Sequence, residues 1–312
     1  MIIKKEIKNG VKILYIKKDK TDAEMETIKN KHVKASMIKD IITDDTDAYD
    51  ADTNKLLLKF RKHKLPKKEI DEFYDNVINF AKRSYSTNRG SASGSDSKNV
   101  WDNPKVYSNI IGYMDSFSPK QKYLARLKKQ SLKYNARECR FNADYPEKYK
   151  HLIPLVQKID HYYKMLTPEY YKNQYRKANQ THFRIPKTSF TTITTNVNFQ
   201  TSIHKDKGDD EEGFGNLTVI EEGSYTGAET CFPQYGIGVD VRTSDVLFMD
   251  VHQWHGNLPM KPANKDVIRL SIVCYLRYNV WKNTKNITKK QMITHNKTVK
   301  NIKGKCKGIS SD

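Results

Sequence analysis

The fold is decided by residues 188–206, which read Thr-Ser-Phe-Thr-Thr-Ile-Thr-Thr-Asn-Val-Asn-Phe-Gln-Thr-Ser-Ile-His-Lys-Asp. Residues 188–203 are rich in Thr, Val, Ile and Phe, which favours a long strand or a hairpin. Further short runs of β-forming residues follow, separated by turns rich in Gly, Pro and Asp: Leu217–Glu221, Gly238–Val241, Val246–Val251 and Ile268–Tyr275. Short, evenly spaced strands are typical of an antiparallel barrel or a jelly roll.

The half of the chain before Pro186 has helical patterns instead. Apolar residues recur at helical spacing between Leu65 and Tyr85, and similar spacing predicts helices over 119–135, 147–166 and about 168–179. The small residues of Ser86–Ser95 predict a loop. The acidic stretch Asp40–Asp52, which contains six Asp, predicts a solvated loop or linker. We therefore expect an α+β fold, in which a helical N-terminal half packs on a double-stranded β-helix (jelly-roll) core.

These patterns divide the chain into three expected parts. Residues 1–60 form an N-terminal extension. Residues 61–280 form the main domain, with helical support at 61–185 and the jelly-roll core at 186–280. Residues 281–312 form a basic tail with nine Lys against one Asp, a net charge of 9 − 1 = +8. With little apolar periodicity, this tail is either flexible or an arm that contacts DNA.

A candidate metal site lies at the end of the Thr-rich run. His204 and Asp206 are two residues apart, so in a strand they point to the same face and can reach one ion. A second histidine would complete a facial triad of two His and one carboxylate, which is typical of non-haem iron(II) oxygenases. His252 and His255 both follow the Val246–Val251 run. We prefer His255 as the ligand and place His252 behind the site as a supporting or structural residue.

The preference for His255 depends on the strand that follows. Arg269 lies fourteen residues after His255, where an oxygenase of this type has an arginine for the far carboxylate of 2-oxoglutarate. A guanidinium group can hold that carboxylate in bidentate fashion. Along Ile268–Tyr275 the side chains alternate, so Arg269 and Ser271 share a face with Val273, Tyr275 and Arg277. We expect this face to line the interior of the barrel.

The charge of the chain concerns its partners. The formal net charge is +20 over 312 residues, which fits either a Lys-rich solvated surface or a nucleic-acid partner. No apolar run is long enough for a membrane span, and the first residues do not resemble a secretory signal. The four cysteines are scattered without CxxC pairing, so we expect an intracellular location. Neither a GxSxG motif nor a phosphate-binding glycine loop is present in the sequence.

Residues Thr194 to Arg277 resemble the TET/J-binding-protein (TET/JBP) family of nucleic-acid base dioxygenases, especially its compact viral, phage and protist members. Weaker likeness in Asn88–Gly90 and Ile111–Asp115 extends the resemblance to about residues 75–280. The matching segments are Asn196–Asp209, Gly213–Val219, Phe232–Gly236, Val239–Arg242, Asp250–Asn257 and Arg269–Tyr275.

The resemblance implies roles for individual residues. It assigns His204, Asp206 and His255 to the iron and Arg269, with Ser271 beside it, to 2-oxoglutarate. It implies that Asp209 hydrogen-bonds a flipped base. Asn88 and Arg89 match a segment expected near the substrate. Arg277 falls where some relatives carry His, so it contacts the base, contacts the cosubstrate or packs in the barrel.

The function that the resemblance implies is hydroxylation of the 5-methyl group of a pyrimidine flipped out of double-stranded DNA. Iron(II), 2-oxoglutarate and dioxygen are the implied cofactors, with ascorbate as a supportive reductant, and no obligate protein partner is implied. Thymine is slightly favoured over 5-methylcytosine by family analogy. Two other interpretations stay open: a 2-oxoglutarate-dependent hydroxylase of protein side chains, and a non-catalytic DNA-binding jelly roll. A viral or phage origin, with action in the host cell, also fits the resemblance.

Overall fold

The computed structural model describes residues 1–83 and 85–304. We number its elements in chain order. The strands are β1 (Ile2–Lys8), β2 (Val11–Ile16), β3 (Asp40–Ile42), β4 (Thr46–Asp50), β5 (Leu56–Arg61), β6 (Tyr107–Met114), β7 (Arg137–Glu138), β8 (Thr192–Val197), β9 (Gly215–Glu222), β10 (Tyr225–Gly227), β11 (Thr230–Phe232), β12 (Ile237–Val239), β13 (Val246–Met249), β14 (Gly256–Asn257), β15 (Met260–Pro262) and β16 (Ile268–Tyr275). The α-helices are α1 (Asp22–Thr27), α2 (Lys67–Ala81), α3 (Pro119–Leu127), α4 (Arg140–Asp144), α5 (Pro146–Leu166), α6 (Pro168–Ala178), α7 (Tyr278–Thr284) and α8 (Lys289–Gly304).

The strands form one large sheet and two small ones. The large sheet has ten strands in the order β1-β2-β4-β5-β13-β9-β16-β8-β6-β7, and a four-stranded sheet has the order β14-β11-β12-β3. Strands β10 and β15 form a separate antiparallel pair. Apolar side chains from β9 and β13 of the large sheet pack against side chains from β11 and β12 of the four-stranded sheet. A core thus lies between two facing sheets.

The helices α2 and α5 cover the other side of the large sheet. The buried residues Phe73 and Val77 of α2 and Ile159 of α5 share one core with Leu270 and Ile272 of β16. The predicted helices over 65–85, 147–166 and 168–179 are present as α2, α5 and α6. An α+β fold with a helical layer on a β core is therefore confirmed. None of the helices in the described part of the chain is long and apolar enough to cross a membrane.

The predicted strand or hairpin over 188–203 is wrong in its length. Only Thr192–Val197 forms regular strand, because Asn198 takes a left-handed backbone conformation with φ 49°. Asn198 then turns its side chain to β16, accepting from the backbone N–H of Arg269 at 2.7 Å and donating to the carbonyl of Val267 at 2.9 Å. His204 and Asp206 therefore lie in an irregular segment after the strand, where His204 forms an isolated β-bridge with His255.

The helix predicted over 119–135 is shorter than expected. It begins at Pro119 behind a capping box made by Ser118 and Gln121, and it ends at Leu127. Lys129, two residues later, has a φ of 47°, and a left-handed residue ends an α-helix.

The acidic stretch Asp40–Asp52 is not a solvated loop. It forms β3 and β4, and β4 pairs with β5 inside the large sheet. The carboxylates are accommodated because cations and donors face them: Asp47 lies 2.7 Å from Arg61 and 2.8 Å from Lys59. Residues 1–60 thus extend the large sheet beyond β5.

The first part of the basic tail is folded, so the flexible interpretation is wrong there, and contact of the tail with DNA stays a prediction. Residues 278–304 form α7 and α8, and the rest of the tail lies outside the described residues. The buried His295 bonds the carbonyl of Ala136 through Nε2 at 2.7 Å. The ammonium of Lys128 donates to the carbonyls of Asn301 and Ile302 at the end of α8. The first part of the tail is therefore a helix packed beside α3.

Candidate active site

His204, Asp206 and His255 meet at one point of the molecule. One possible ligand atom from each lies within 4.8 Å of the others. The Nε2 atom of His204 is 3.5 Å from Asp206 Oδ1, and that of His255 is 3.9 Å from Asp206 Oδ2. Two imidazoles and one carboxylate on one side of a cavity form the donor set of a facial triad. The structure thus brings together the three residues predicted as iron ligands.

Hydrogen bonds to the backbone orient both imidazoles. The Nδ1 atom of His204 lies 2.7 Å from the carbonyl of Ser202, and that of His255 lies 2.9 Å from the carbonyl of Gln253. A carbonyl can only accept, so each Nδ1 carries a proton, and in the neutral imidazole each Nε2 then has a lone pair for a metal. Such bonds are the usual support of a histidine that binds a metal. The residues present therefore fit an iron(II) ion.

The charge environment favours the ligand forms of two of these side chains. Burial, together with the neighbouring His204, lowers the pKa of His255 to about 4. Burial acts to raise the pKa of Asp206, but its hydrogen bond to His204 and the charge of His255 lower the pKa overall. Burial likewise acts to lower the pKa of His204, and the hydrogen bond to Asp206 raises it overall. A neutral imidazole and an ionised carboxylate are the forms that bind metal.

Direct backbone pairing fixes the spacing of the two histidines. The N–H of His204 donates to the carbonyl of His255, and the N–H of His255 donates back, both at 2.9 Å. Gly256 allows this close approach, because a Cβ atom there would lie 2.9 Å from the carbonyl oxygen of Ser202. A residue with a side chain at position 256 would therefore collide with the segment that carries His204.

Arg269 lies on the opposite wall, in β16. Its side chain is buried, and its Nε atom has no hydrogen-bond partner among the described residues. Burial lowers the pKa of this guanidinium, although Tyr225 and Glu221 act to raise it. A buried cation with an unpaired donor is costly unless an anion binds to it. Arg269 therefore fits the carboxylate of a cosubstrate.

The predicted alternation along β16 is present. Arg269, Ser271, Val273, Tyr275 and Arg277 all line the cavity, whereas Leu270, Ile272 and Cys274 are buried in the core under the helices. The cavity has a volume of about 290 Å³ and also takes side chains from β8, β9, β13 and β14. It therefore lies between the two facing sheets.

Asp209, Arg277 and Arg89 form a charged cluster in the same cavity. Asp209 pairs with Arg277 through a β-bridge, and the Nε atom of Arg277 bonds the buried Asp115. Arg89 donates to Ser108 Oγ at 2.9 Å and to Thr194 Oγ1 at 3.3 Å. Burial and the nearby Asp206 raise the pKa of Asp209 well above its usual value, and Arg277 and Arg89 oppose that shift. Two cations thus flank one carboxyl group.

Two other predicted residues lie outside this arrangement. Asn88 is exposed and does not line the cavity, and its backbone N–H bonds Ser86 Oγ at 3.2 Å. His252 directs its Nδ1 atom to the carbonyl of Asp206 at 3.3 Å. His252 thus contacts the backbone of a triad residue without joining the triad.

Two residues of the cavity wall, Asn196 and Phe199, were not assigned a role from the sequence. Asn196 lies on β8 next to Ser271, donating to its Oγ at 3.4 Å, and its own Oδ1 is buried without a partner among the described residues. The sequence pattern could have predicted this position, because Asn196 alternates with Thr194 on the strand face that lines the cavity. Phe199 gave no such signal, because it follows the strand end at Asn198.

Known proteins resemble this chain in sequence and in fold. The Tet_JBP family, described as the oxygenase domain of the 2OGFeDO superfamily (2-oxoglutarate- and iron-dependent dioxygenases), matches residues 125–278. Thymine dioxygenase JBP1 of Trypanosoma brucei brucei is 30% identical over 172 residues, which cover 54% of this chain and 19% of that protein. The bifunctional helicase and thymine dioxygenase JBP2 of Trypanosoma cruzi (strain CL Brener) is 36% identical over 124 residues, covering 40% of this chain and 11% of that protein. The chain thus spans about a fifth or less of the length of these relatives.

A solved structure shares the fold. The structure described as NgTET1 in complex with 5mC DNA matches with a TM-score of 0.52 at 12% identity, covering 89% of this chain and all (100%) of that chain. The predicted jelly-roll core is thereby confirmed. The match over residues 125–278 identifies this part of the chain as a Tet/JBP oxygenase domain of the 2-oxoglutarate- and iron(II)-dependent dioxygenases.

Proposed function

We propose that this protein hydroxylates the 5-methyl group of a pyrimidine base in DNA, with thymine as the favoured substrate and 5-hydroxymethyluracil as the product. The observation that carries the proposal is the shared cavity. It joins the His204–Asp206–His255 triad, Arg269 and the cluster of Asp209, Arg89 and Arg277. The Nε atom of Arg269 has no hydrogen-bond partner within the described residues.

In this proposal His204, Asp206 and His255 hold iron(II) and leave coordination positions open. Arg269 holds the far carboxylate of 2-oxoglutarate, with the hydroxyl of Ser271 beside it. When bound, the iron and 2-oxoglutarate activate dioxygen for oxygen insertion into a C–H bond. The protein supplies orientation and excludes water around the site.

The charged cluster supports thymine over 5-methylcytosine. The pairing edge of thymine presents the acceptor O4, the donor N3–H and the acceptor O2, whereas cytosine presents an amino donor at position 4. Asp209 can accept from N3–H through a carboxyl oxygen, ionised or not. The guanidinium groups of Arg89 and Arg277, on either side, donate to carbonyl oxygens. Cytosine would place its amino group against a cation.

A base inside a duplex cannot reach the triad, because the triad lies between two sheets. The target nucleotide must therefore flip out, which costs a few kcal/mol. Contacts between cationic side chains and DNA phosphates can offset this cost, and the net charge of +20 supports such contacts.

The test is incubation of the protein with iron(II), 2-oxoglutarate and duplex DNA containing both thymine and 5-methylcytosine, followed by nucleoside mass spectrometry. We expect 5-hydroxymethyluracil above 5-hydroxymethylcytosine, with succinate formed in step. If succinate is released but neither base is oxidised, the DNA-base proposal is wrong and a protein hydroxylase becomes the better interpretation. If neither succinate nor oxidised base forms with iron loaded, the non-catalytic interpretation gains instead.

A further inference from the structure

A second cavity lies beside the catalytic one. It has a volume of about 640 Å³ and is lined by residues from the ends of β6, β8, β9 and β16. Phe199 forms part of the wall of both cavities. The two cavities are therefore adjacent.

One wall of the second cavity is a pair of stacked tyrosines. The rings of Tyr85 and Tyr107 have centroids 4.2 Å apart and planes 21° from parallel. Tyr107 belongs to β6, so the sheet supports its ring, whereas Tyr85 is 57% exposed. An exposed ring held flat on a second ring offers its outer face to a planar group. Such platforms stack nucleobases in proteins that bind single strands.

The floor and rim of this cavity suit the rest of a nucleotide. Val197, Val267 and Ile268 supply apolar surface. The rim carries Lys82, Lys105 and Lys265, and none of the three forms an ion pair within residues 1–83 and 85–304. Two carboxylates are also present.

The net charge of the rim stays positive despite these two carboxylates. Glu222 accepts a hydrogen bond from the hydroxyl of Tyr74, and Asp266 is the other acid of the rim. Three ammonium groups against two carboxylates, one of them already hydrogen-bonded, favour an anionic ligand such as a phosphodiester.

The segment from Tyr85 to Arg89 joins the two cavities. Ser86 pairs with Val106 through two backbone hydrogen bonds of 2.7 and 3.1 Å. Three residues on, Arg89 lies in the catalytic cavity and bonds Ser108. Four residues of extended chain span at most about 14 Å. When one nucleotide of an unstacked strand occupies the catalytic cavity, a nucleotide next to it can therefore reach Tyr85.

We propose that the second cavity binds a nucleotide adjacent to the target base, with its base stacked on Tyr85 and its phosphate near Lys82, Lys105 and Lys265. This inference rests on the proposed function, because it takes DNA as the substrate. It adds a reason for the flipped strand to stay open, since stacking on Tyr85 replaces part of the stacking that the duplex gives up.

The test measures stacking directly and without turnover. Single-stranded oligonucleotides, in which 2-aminopurine is poorly stacked and bright, carry a thymine target with this fluorescent base at one of the positions around it, and they are titrated with protein lacking iron and 2-oxoglutarate. We expect strong quenching by the wild type at a position adjacent to the target and weak quenching several positions away. Tyr85→Ala loses the quenching and weakens DNA binding about 10-fold, whereas Tyr85→Phe keeps both.

Tyr145→Ala is the matched control. Tyr145 is 46% exposed between α4 and α5 and lines neither cavity, so both variants lose one exposed ring. We expect Tyr145→Ala to quench like the wild type. In turnover, we expect Tyr85→Ala to raise the KM for DNA with little change in kcat, because Tyr85 does not line the catalytic cavity. Thermal unfolding of the Ala and Phe variants separates loss of the platform from loss of the fold.

The outcomes separate this inference from the proposed function. Wild-type-like quenching by Tyr85→Ala, or no position-dependent quenching by the wild type, overturns the stacking site even if thymine is oxidised. Quenching that depends on Tyr85 supports the site even if no oxidised nucleoside forms.

Discussion

At the residue scale, His252 and His255 have similar positions in the sequence and different positions in space. Only His255 joins His204 and Asp206, and His252 contacts a backbone carbonyl. We predict that His255→Ala abolishes iron binding and turnover, because two ligands remain. His252→Ala leaves measurable turnover, since the triad stays complete. Iron content and succinate release are measured for both variants. If His252→Ala abolishes turnover and His255→Ala does not, His252 and not His255 is the iron ligand.

Arg269 gives a prediction that separates the cosubstrate from the metal. Arg269→Lys keeps the charge but removes the planar fork that matches a carboxylate. We expect the KM for 2-oxoglutarate to rise about 10- to 100-fold, which corresponds to the loss of one strong charged hydrogen bond. Iron binding measured without 2-oxoglutarate stays unchanged. An unchanged KM, or a failure to bind iron, would contradict the role proposed for Arg269.

The candidate site could be predicted from sequence at this scale because some of its residues follow local rules. Arg269 and Ser271 alternate along one strand, as predicted. His204 and Asp206 also meet, but in an irregular segment after β8, so the strand alternation assumed for them is not the reason. The position of Asn88 outside the cavity could not be predicted. It depends on the turn at Asn88–Gly90 and on the bonds of Arg89 to β6 and β8, which join residues far apart in the chain.

At the element scale, the close pairing of the segments that carry His204 and His255 depends on Gly256. We predict that Gly256→Ala weakens iron binding, because its Cβ would press on the backbone of Ser202 and push the two histidines apart. Gly238→Ala, in the same four-stranded sheet, is the control. Its Cβ would meet the end of the flexible Ile41 side chain, at 2.8 Å. Iron affinity by titration tests this, and equal effects of the two variants would contradict it.

The element boundaries show where sequence patterns fail. Strand β16 was predicted with its correct bounds. One of its faces packs in the core under the helices, and the other lines the cavity, so the strand has a clear alternating pattern. The helix α8 was missed, although Met292, His295, Val299 and Ile302 recur at helical spacing on its packed side. The signal is weak because one of the four is a histidine and because lysines surround them. Burial of His295 depends on its bond to Ala136.

At the scale of the whole molecule, positive charge is concentrated beside one edge of the large sheet. Eleven exposed cations and no carboxylate occur in residues 119–135 and 278–302, with five in the first range and six in the second. Helix α8 packs beside α3 and β7. Both ranges begin next to the bonded pair of Asp115 and Arg277 at the cavity wall. This surface, which we call the basic helix face, therefore adjoins the site.

We predict that the basic helix face binds DNA phosphates. Replacement of Lys120, Lys122, Lys289 and Lys290 by Gln should weaken duplex binding and make it less sensitive to salt. The slope of log K against log salt concentration should become shallower by about 0.9 for each phosphate that the variant no longer neutralises. Binding isotherms at several salt concentrations measure this slope.

The control removes the same charge from elsewhere. Lys5, Lys8, Lys55 and Lys68 are also exposed, and Lys5 and Lys8 lie on β1, at the opposite edge of the large sheet. We expect their replacement by Gln to leave the slope nearly unchanged. Equal slopes in the two variants would mean that only the net charge matters.

The overall arrangement was only partly accessible from sequence. The class of fold followed from helical patterns before Pro186 and β patterns after it. The place of residues 1–60 did not, because β5 joins the sheet through β13, more than 180 residues later in the chain, as in the pairing of Arg61 with Val246. Such long-range pairing leaves no local periodicity, so an acidic segment resembled a linker.

The proposed reaction couples the consumption of 2-oxoglutarate to the oxidation of a DNA methyl group in one cavity. Its most direct test is a reaction under isotopically labelled dioxygen, followed by mass spectrometry of succinate and of the nucleosides. A dioxygenase places one atom of dioxygen in succinate and the other in the product. We expect label in succinate and in 5-hydroxymethyluracil from the same reaction, and neither label with His255→Ala. Labelled succinate with no labelled nucleoside would contradict the coupling.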